Sequence, residues 1–503
     1  MNYIKQVNTT KTQVVTHAFQ YTASTILARV ILMLATFLIA SVLGPSGYGK
    51  WNIITIAMTY STYLQLGTLS ALQREVPFYI GQGNDDFVDK IRGVVFTFIV
   101  LISLLSCFVC LVIPPFVIKK PDFYLVLWFI PPLILQLFFL FSQTYLRSIN
   151  YFGSLCITDL LNAMIFLCFI FFFAKNYGII SLLIGLSIAY MTNILYFVKK
   201  TKFIPKLLLD YSLLLTLIKI GVSIMGLGLL STLFFSLDRM FIAGTYGTEI
   251  LGYYGMGMTV FGIVNIVPGI FSQLIYPRMA EQYGRSNSNI HSLSNYLFQP
   301  IYILAIMLPL FLCVIYFIYP LFISLYLPSF LPSIAVSRIL IMGAFFVSIS
   351  GLFSDFLIVI NKQYFLYVAK IVSLTICLLL MSLIAWFKYS YLLIAMVVSI
   401  SYLIYSIIII GFSLNKMQYG MFRIVAECIR IMTPFTIICI IIFFVTKAVY
   451  INSCGVYNYL VQMLFVITIY LPVLFISEKK HRPLSIIGHS IIDILKAKTA
   501  YGK

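Results

Sequence analysis

Charge is scarce in this sequence. Of 503 residues, 9% are Asp, Glu, Lys or Arg, and 14 are carboxylates. A soluble chain carries about a quarter of its residues as charges, so an ordinary water-soluble domain is excluded. Histidine is scarcer still: His17, His291, His481 and His489 are the four in the chain, and each falls in an inner loop or at a span edge. No H-E-x-x-H, G-x-S-x-G, Walker loop or D-x-D occurs. Polar groups do not gather as hydrolytic or nucleotide chemistry requires. The chain therefore reads as a non-enzyme, with no metal and no cofactor expected. The nine cysteines lie mostly inside apolar runs. Cys107 and Cys110 sit in "LLSCFVCLVI", where they read as small packing residues. Cys454 is the one cysteine placed in an outer loop, so no disulfide framework is available there.

What the sequence does hold is apolar length. It is 62% hydrophobic, and runs of about 20 apolar residues, enough to cross a bilayer as a helix, recur throughout. A transmembrane barrel would alternate apolar and polar positions, and runs such as "AMIFLCFIFFFA" (163–174) do not. The fold class is all-α polytopic membrane protein, with about fourteen transmembrane helices. Spans are expected near 17–43, 51–73, 93–118, 123–146, 153–174, 177–198, 219–244, 250–276, 297–325, 334–360, 364–387, 391–413, 427–449 and 457–476. The first run is too long for a signal core and follows a polar start, so it reads as an uncleaved span. The segment 319–333, "YPLFISLYLPSFLPS", reads as a proline-broken turn at the membrane surface.

The net charge of +19 does not indicate nucleic acid, because the basic residues are distributed among short loops. With the N-terminus inside, inner segments hold 22 Lys and Arg and outer loops hold 6. That bias puts both termini in the cytoplasm. Two inner stretches, 199–219 and the tail from Ser477, mix basic and apolar residues at helical spacing. They read as interfacial helices on an anionic leaflet, with a solvated loop equally open for the tail.

The chain repeats itself weakly. "LGPSGYGKW" (43–51) pairs with "LGYYGMGM" (251–258), and "FSQTYLRSINYFG" (141–153) with "FSDFLIVINKQYF" (353–365). Six spans separate equivalent points, so the halves would be parallel repeats. The expected domains are 1–206 (helices one to six), 207–413 (helices seven to twelve), and 414–503 (two extra helices and a basic tail).

Charges inside spans are the most informative residues. Arg29 lies about ten residues, or about 15 Å, from either end of its run. Facing lipid there costs about 2.5–3.5 kcal/mol on insertion scales. It should face a wet cavity or a carboxylate. Asp238 and Arg239 are adjacent near the outer end of span seven, about 100° apart on the helix. Asp238 is a cavity candidate, while Arg239 is within snorkelling reach of the outer surface. Arg74 and Glu75 close span two at the inner face and read first as a solvated pair. Asp159 and Asp355 lie within spans five and ten and, with Asp238, are candidates for ion coupling. Arg338 and Lys370 are expected near the two membrane surfaces.

A mid-span arginine in helix one followed by "LGPSGYG" resembles the Wzx-type polysaccharide flippases of the multidrug/oligosaccharidyl-lipid/polysaccharide exporter superfamily. So do "LDRMFIAGTYGTEILGYYGMG" (237–257) and "YIGQGNDD" (79–86). The resemblance covers spans one to twelve. It implies two six-helix lobes around a V-shaped central cleft, lined by helices one, two, seven and eight. That points to Arg29, Gln65 and Asp238, and less directly to Arg74 and Arg239. It implies a cargo of undecaprenyl-pyrophosphate-linked oligosaccharide, moved from the cytoplasmic to the outer leaflet of the inner membrane. The products served would be O-antigen, capsule or exopolysaccharide. A polysaccharide polymerase and a chain-length regulator would be partners, and nucleic acid would not. The alternatives are a multidrug/cation antiporter or a lipid II flippase of the same superfamily, and last a membrane glycan polymerase. A polymerase should carry a large outer loop, and none is present.

Overall fold

The structure, a computed structural model, describes residues 11–112, 120–202, 206–448 and 458–481. All regular structure among them is helical. Twelve described helices are long and apolar enough to cross a membrane. One of them, Ala23–Ser61, is divided into two spans at Gly44, and the shorter apolar helix Asn458–Leu474 adds another. The fourteen expected spans are all accounted for. Cys454 and the tail beyond residue 481 lie outside the described residues.

The chain forms two compact units, Met1–Ala243 with Gly247–Gly252, and Gly244–Tyr246 with Tyr253–Lys503. The first unit begins with α1 (Lys11–Ser61), α2 (Thr68–Gly81), α3 (Asp85–Val112) and α4 (Lys120–Ser148). It continues with α5 (Phe152–Tyr177), α6 (Ile179–Thr201) and most of α7 (Tyr211–Thr245). Gly44 makes the connection between the two spans of α1. Its φ of 66° and ψ of 179° suit a residue without Cβ, and Pro45 then restarts the helix where a missing N–H is harmless. Asn84 caps α3 by accepting from Phe87 N–H at 3.1 Å. Asp85 and Asp86 in the first turn meet the positive end of the helix dipole.

Lipid is as apolar as leucine, so packing inside the membrane rests on close contact rather than on exclusion of water. Leu72, Val76, Ile91, Val95, Ile99, Phe141, Tyr145 and Phe197 fill the interior of the first unit. Small residues bring backbones together there: a Cβ on Gly93 would crowd Leu208 and the Lys206 carbonyl.

Two expectations change. The segment 199–219 is not one interfacial helix. The helix α6 ends at Thr201, 206–210 is non-helical, and α7 starts at Tyr211. Asp210 determines that start. It accepts from Leu213 N–H at 3.0 Å and from Ser212 Oγ at 2.7 Å, the arrangement of a helix cap. Lys90 pairs with its other oxygen at 2.7 Å, and Leu208 N–H donates to Thr97 Oγ1 at 2.9 Å. The strand of chain leading into α7 is therefore tied along α3. The Lys90 ammonium, with the Leu213 N–H and the Ser212 hydroxyl, holds the Asp210 carboxyl well below the usual carboxylate range.

The second change concerns 319–333. The helix continues through Pro320 to Tyr326, and the chain turns only at Leu327. Proline is tolerated inside spans because neighbours satisfy the freed carbonyl.

The second unit holds α8 (Thr248–Val264) from Tyr253 onward, α9 (Ile266–Arg285), α10 (Ser294–Tyr326), α11 (Ser333–Val359), α12 (Tyr364–Trp386) and α13 (Tyr391–Lys416). It ends in α14 (Met421–Ala448) and α15 (Asn458–His481). These last two pack on α10 through Cys313, Phe317, Ile438, Ile442, Val466 and Tyr470. Nearer the start of α14, Tyr302 donates to Glu427 at 2.6 Å and accepts from Arg430 at 3.2 Å. Arg338 lies over the rings of Tyr316 and Tyr459. Lys370, expected near a membrane surface, is buried in the protein.

Candidate functional site

Within the first unit, the second span of α1 runs alongside α7, and polar side chains join them. Tyr60 Oη and Ser236 Oγ lie 2.8 Å apart, and Tyr63 Oη and Thr232 Oγ1 lie 2.5 Å apart. Between these helices is a cavity of about 340 Å³. Thr55, Ile56, Thr59 and Tyr60 line it from α1, and Ser231, Thr232, Phe235, Ser236 and Arg239 from α7. At about 1.5 Å per residue, Thr55–Tyr60 lies about 15–22 Å along the helix from Pro45. This is a hydroxyl-rich cavity deep inside an apolar segment.

Its chemistry follows from the hydrogen bonds. Thr55 and Thr59 donate to the carbonyls of Asn52 and Thr55 at 2.9 and 2.7 Å, leaving oxygen lone pairs as acceptors. Arg239 Nη2 donates to the Phe235 carbonyl at 3.1 Å. Its Nε is buried and has no hydrogen-bond partner among the described residues. The wall supplies acceptors, and Arg239 supplies a cation. Sugar hydroxyls and a phosphate oxygen meet both requirements.

The cavity is bounded by close backbone contacts. After Ser61 the helix breaks through a series of tight turns ending at Leu66 (φ 49°) and Gly67 (φ 83°). A left-handed leucine costs about 1–2 kcal/mol, so the break is firmly imposed. A Cβ on Gly67 would overlap the Gly221 backbone, and one on Gly221 would overlap the Gly67 carbonyl. At the other end, Cβ atoms on Gly49 and Gly252 would overlap the carbonyls of Thr248 and Pro45. Ser46 and Thr248 hydroxyls meet there at 3.3 Å. Thus "LGPSGYG" and the start of "LGYYG", paired as repeats in the sequence, also touch in space.

The expected site residues separate. Arg239 lines the cavity. Asp238 is buried and accepts from the Arg239 backbone N–H at 2.8 Å, and it does not line the cavity. Gln65 is buried at the break, where it accepts from Leu69 N–H at 3.0 Å and restarts the helix. Arg74 is exposed and 3.6 Å from Glu75. Arg29 is exposed on α1, which packs along α5. Asp159 on α5 is 3.5 Å from the Thr25 hydroxyl, one turn before Arg29. Asp355 accepts from Ser272 at 2.5 Å in the second unit. Among the described residues no three His, Cys, Asp or Glu gather as a metal site.

None of the cavity hydroxyls stands out in the sequence. Thr55 and Thr59, and Thr232 and Ser236, each lie four residues apart on one helical face. That spacing is the one signal available.

Residues 14–283, more than half the chain, match the family described as "Polysaccharide biosynthesis protein". No curated protein sequence matches the chain. Among solved structures, the lipid II flippase MurJ in an inward closed conformation is similar at a TM-score of 0.68 and 16% identity, covering 91% of this chain and 98% of that one. An inward-facing multidrug resistance MATE family transporter of the MOP superfamily is similar at 0.62 and 11%, covering 77% and 94%. A MOP superfamily transporter from Pyrococcus furiosus, described by a reversed polarity of its binding pocket, is similar at 0.55 and 13%, covering 80% and 95%. At such identities the likeness establishes the fold.

Proposed function

The chain belongs to the polysaccharide biosynthesis protein family, and from that premise we propose that it is a flippase for lipid-linked oligosaccharides. Its cargo would be an undecaprenyl-pyrophosphate-linked repeat unit, carried from the cytoplasmic to the outer leaflet of the inner membrane. The end product would be O-antigen, capsule or exopolysaccharide. The observation that carries this reading is the cavity of Thr55, Thr59, Tyr60, Ser231, Thr232, Ser236 and Arg239. Neither a glycan nor a diphosphate enters hydrocarbon. A hydroxyl wall with one guanidinium offers both the hydrogen bonds they lose on leaving water.

The orientation in this reading has both termini in the cytoplasm, from the distribution of Lys and Arg. Helices one to six (1–206) and seven to twelve (207–413) act as repeats in alternating access, with 414–503 as an addition. Arg29 is a second cationic contact for the cargo, balanced by Asp159 when the cargo is absent. Asp159, Asp238 and Asp355 are candidates for ion coupling. A polymerase and a chain-length regulator would work beside it.

A multidrug/cation antiporter is the second reading, from the MATE-like fold. A cationic drug would be repelled by Arg239 in this cavity, which favours the anionic cargo. The test is deletion of the gene followed by analysis of accumulated lipid-linked oligosaccharides. Accumulation of an undecaprenyl-linked repeat unit, relieved by wild type, is expected. Accumulation of lipid II would identify the other flippase class, and unchanged lipid pools with altered drug tolerance would identify the antiporter.

A further inference from the structure

A second amphipathic cavity lies in the second unit, between α9 and α10, with a volume of about 540 Å³. That is within the range of roughly 300–1,000 Å³ usual for small-molecule sites. Its polarity is graded along the helices. Ile270, Leu274 and Arg278 occupy one face of α9 at four-residue spacing, and Asn295, Gln299 and Ile303 do the same on α10. Because the two helices run in opposite directions from the loop at 286–293, Arg278, Asn295, Tyr296 and Gln299 share the loop end. Ile270 and Leu274 lie deeper, with Ile303 one turn beyond Gln299 on α10.

The polar end is free to bind. Arg278, Asn295 and Gln299 are exposed. Glu281, the nearest carboxylate along α9, is taken by Arg285 at 2.6 Å. Among the described residues no ion pair or side-chain hydrogen bond engages Arg278, Asn295 or Gln299. Pro300 lacks the N–H that would serve the Tyr296 carbonyl, so one more acceptor is released at the same level. The deeper end is open too, since Leu274 is 56% exposed. One cation and several amide groups thus sit at one end of an apolar trough.

We propose that this cavity binds an anionic glycerophospholipid of the inner leaflet. Its phosphate sits on Arg278, its glycerol or headgroup hydroxyls on Asn295 and Gln299, and an acyl chain along Ile270, Leu274 and Ile303. Charge complementarity selects the occupant: a lone arginine at a membrane surface favours an anionic headgroup over a zwitterionic one. The leaflet rests on the orientation proposed above, and the lipid chemistry does not.

The test uses the full chain purified in detergent and exposed to phosphatidylglycerol or phosphatidylcholine, with retained lipid read by native mass spectrometry. Wild type is expected to retain phosphatidylglycerol in preference to phosphatidylcholine. Arg278→Gln should lower phosphatidylglycerol retention about tenfold, as loss of a charge-assisted contact does, and Arg278→Lys should keep part of it. Equal retention of both lipids by wild type, or unchanged phosphatidylglycerol on Arg278→Gln, overturns the site. So does a co-purified polyprenyl-linked oligosaccharide released by Arg278→Gln. Orientation is read separately, with Ser288→Cys added to a Cys454→Ser background and an impermeant thiol reagent. Labelling from outside overturns the inner-leaflet assignment and the orientation while the lipid preference stands.

Discussion

The backbones of Gly67 and Gly221 meet with no room for a Cβ on either. One lies at the break in the second span, the other early in α7. Gly221→Ala keeps helical geometry but forces the two chains apart. Overpacking of this kind costs about 1–3 kcal/mol. The variant should melt at a lower temperature in detergent and export less polysaccharide, and Gly228→Ala, which meets only the far end of Tyr63 at 3.8 Å, should do neither. Equal behaviour of the two variants would remove the contact from consideration.

Among the described residues, Arg239 carries the only charge lining the hydroxyl-rich cavity. Arg239→Ala should abolish export at native expression, and Arg239→Lys should retain a fraction because it keeps the charge but not the fork of donors. Tyr60→Phe, which removes one hydroxyl from the pair with Ser236, should reduce export only several-fold. Cell-surface polysaccharide quantified against membrane protein level checks all three.

Arg29 on α1 and Asp159 on α5 lie on packed helices, with the Thr25 hydroxyl, one turn before Arg29, 3.5 Å from Asp159. If Arg29 serves the cargo, Arg29→Ala abolishes export, and Asp159→Asn leaves the protein folded with altered transport. If Arg29 serves only Asp159, the double variant Arg29→Ala with Asp159→Asn should recover most of the export lost by Arg29→Ala. A double-mutant cycle on export rate separates the two, and we expect no recovery.

Asp210 ties the start of α7 to Lys90 on α3. Its folded-state pKa is depressed below an unfolded value of about 3.9. Its stabilisation is therefore complete above about pH 4 and is lost only as pH falls through the lowered folded value. Asp210→Asn keeps an acceptor for Leu213 N–H and removes the charge. The variant should melt below wild type at pH 7 and at pH 5, with the gap closing only in stronger acid. A gap that closed between pH 7 and pH 5 would disprove the pairing.

Much of the fold was legible because bilayer thickness imposes a length that any long apolar run reveals. Gly44–Pro45 announced its own turn. The break at Leu66–Gly67 did not, because a lone glycine in an apolar run is ordinary and the strain falls on leucine. The cavity was half legible. Arg239 stood out by charge, and its distance to the helix end left snorkelling and an inward role both open. Thr55, Thr59, Ser231 and Ser236 were invisible because a span tolerates single hydroxyls that bond to their own helix. Only the meeting of two helices distant in sequence turns them into a wall.

The seam between the second span and α7 has the bare backbones of Gly67 and Gly221 at one end and hydroxyl pairs along its length. Bare backbone has no side chains to disengage, and a hydroxyl pair has a ready substitute. A sugar that enters between Tyr60 and Ser236, or between Tyr63 and Thr232, returns a hydroxyl for each one it displaces. Parting these helices around a glycan is then an exchange of like for like, close to neutral in hydrogen bonds, whereas parting them into hydrocarbon is not. The surface that joins these helices is, by composition, a stand-in for the proposed cargo.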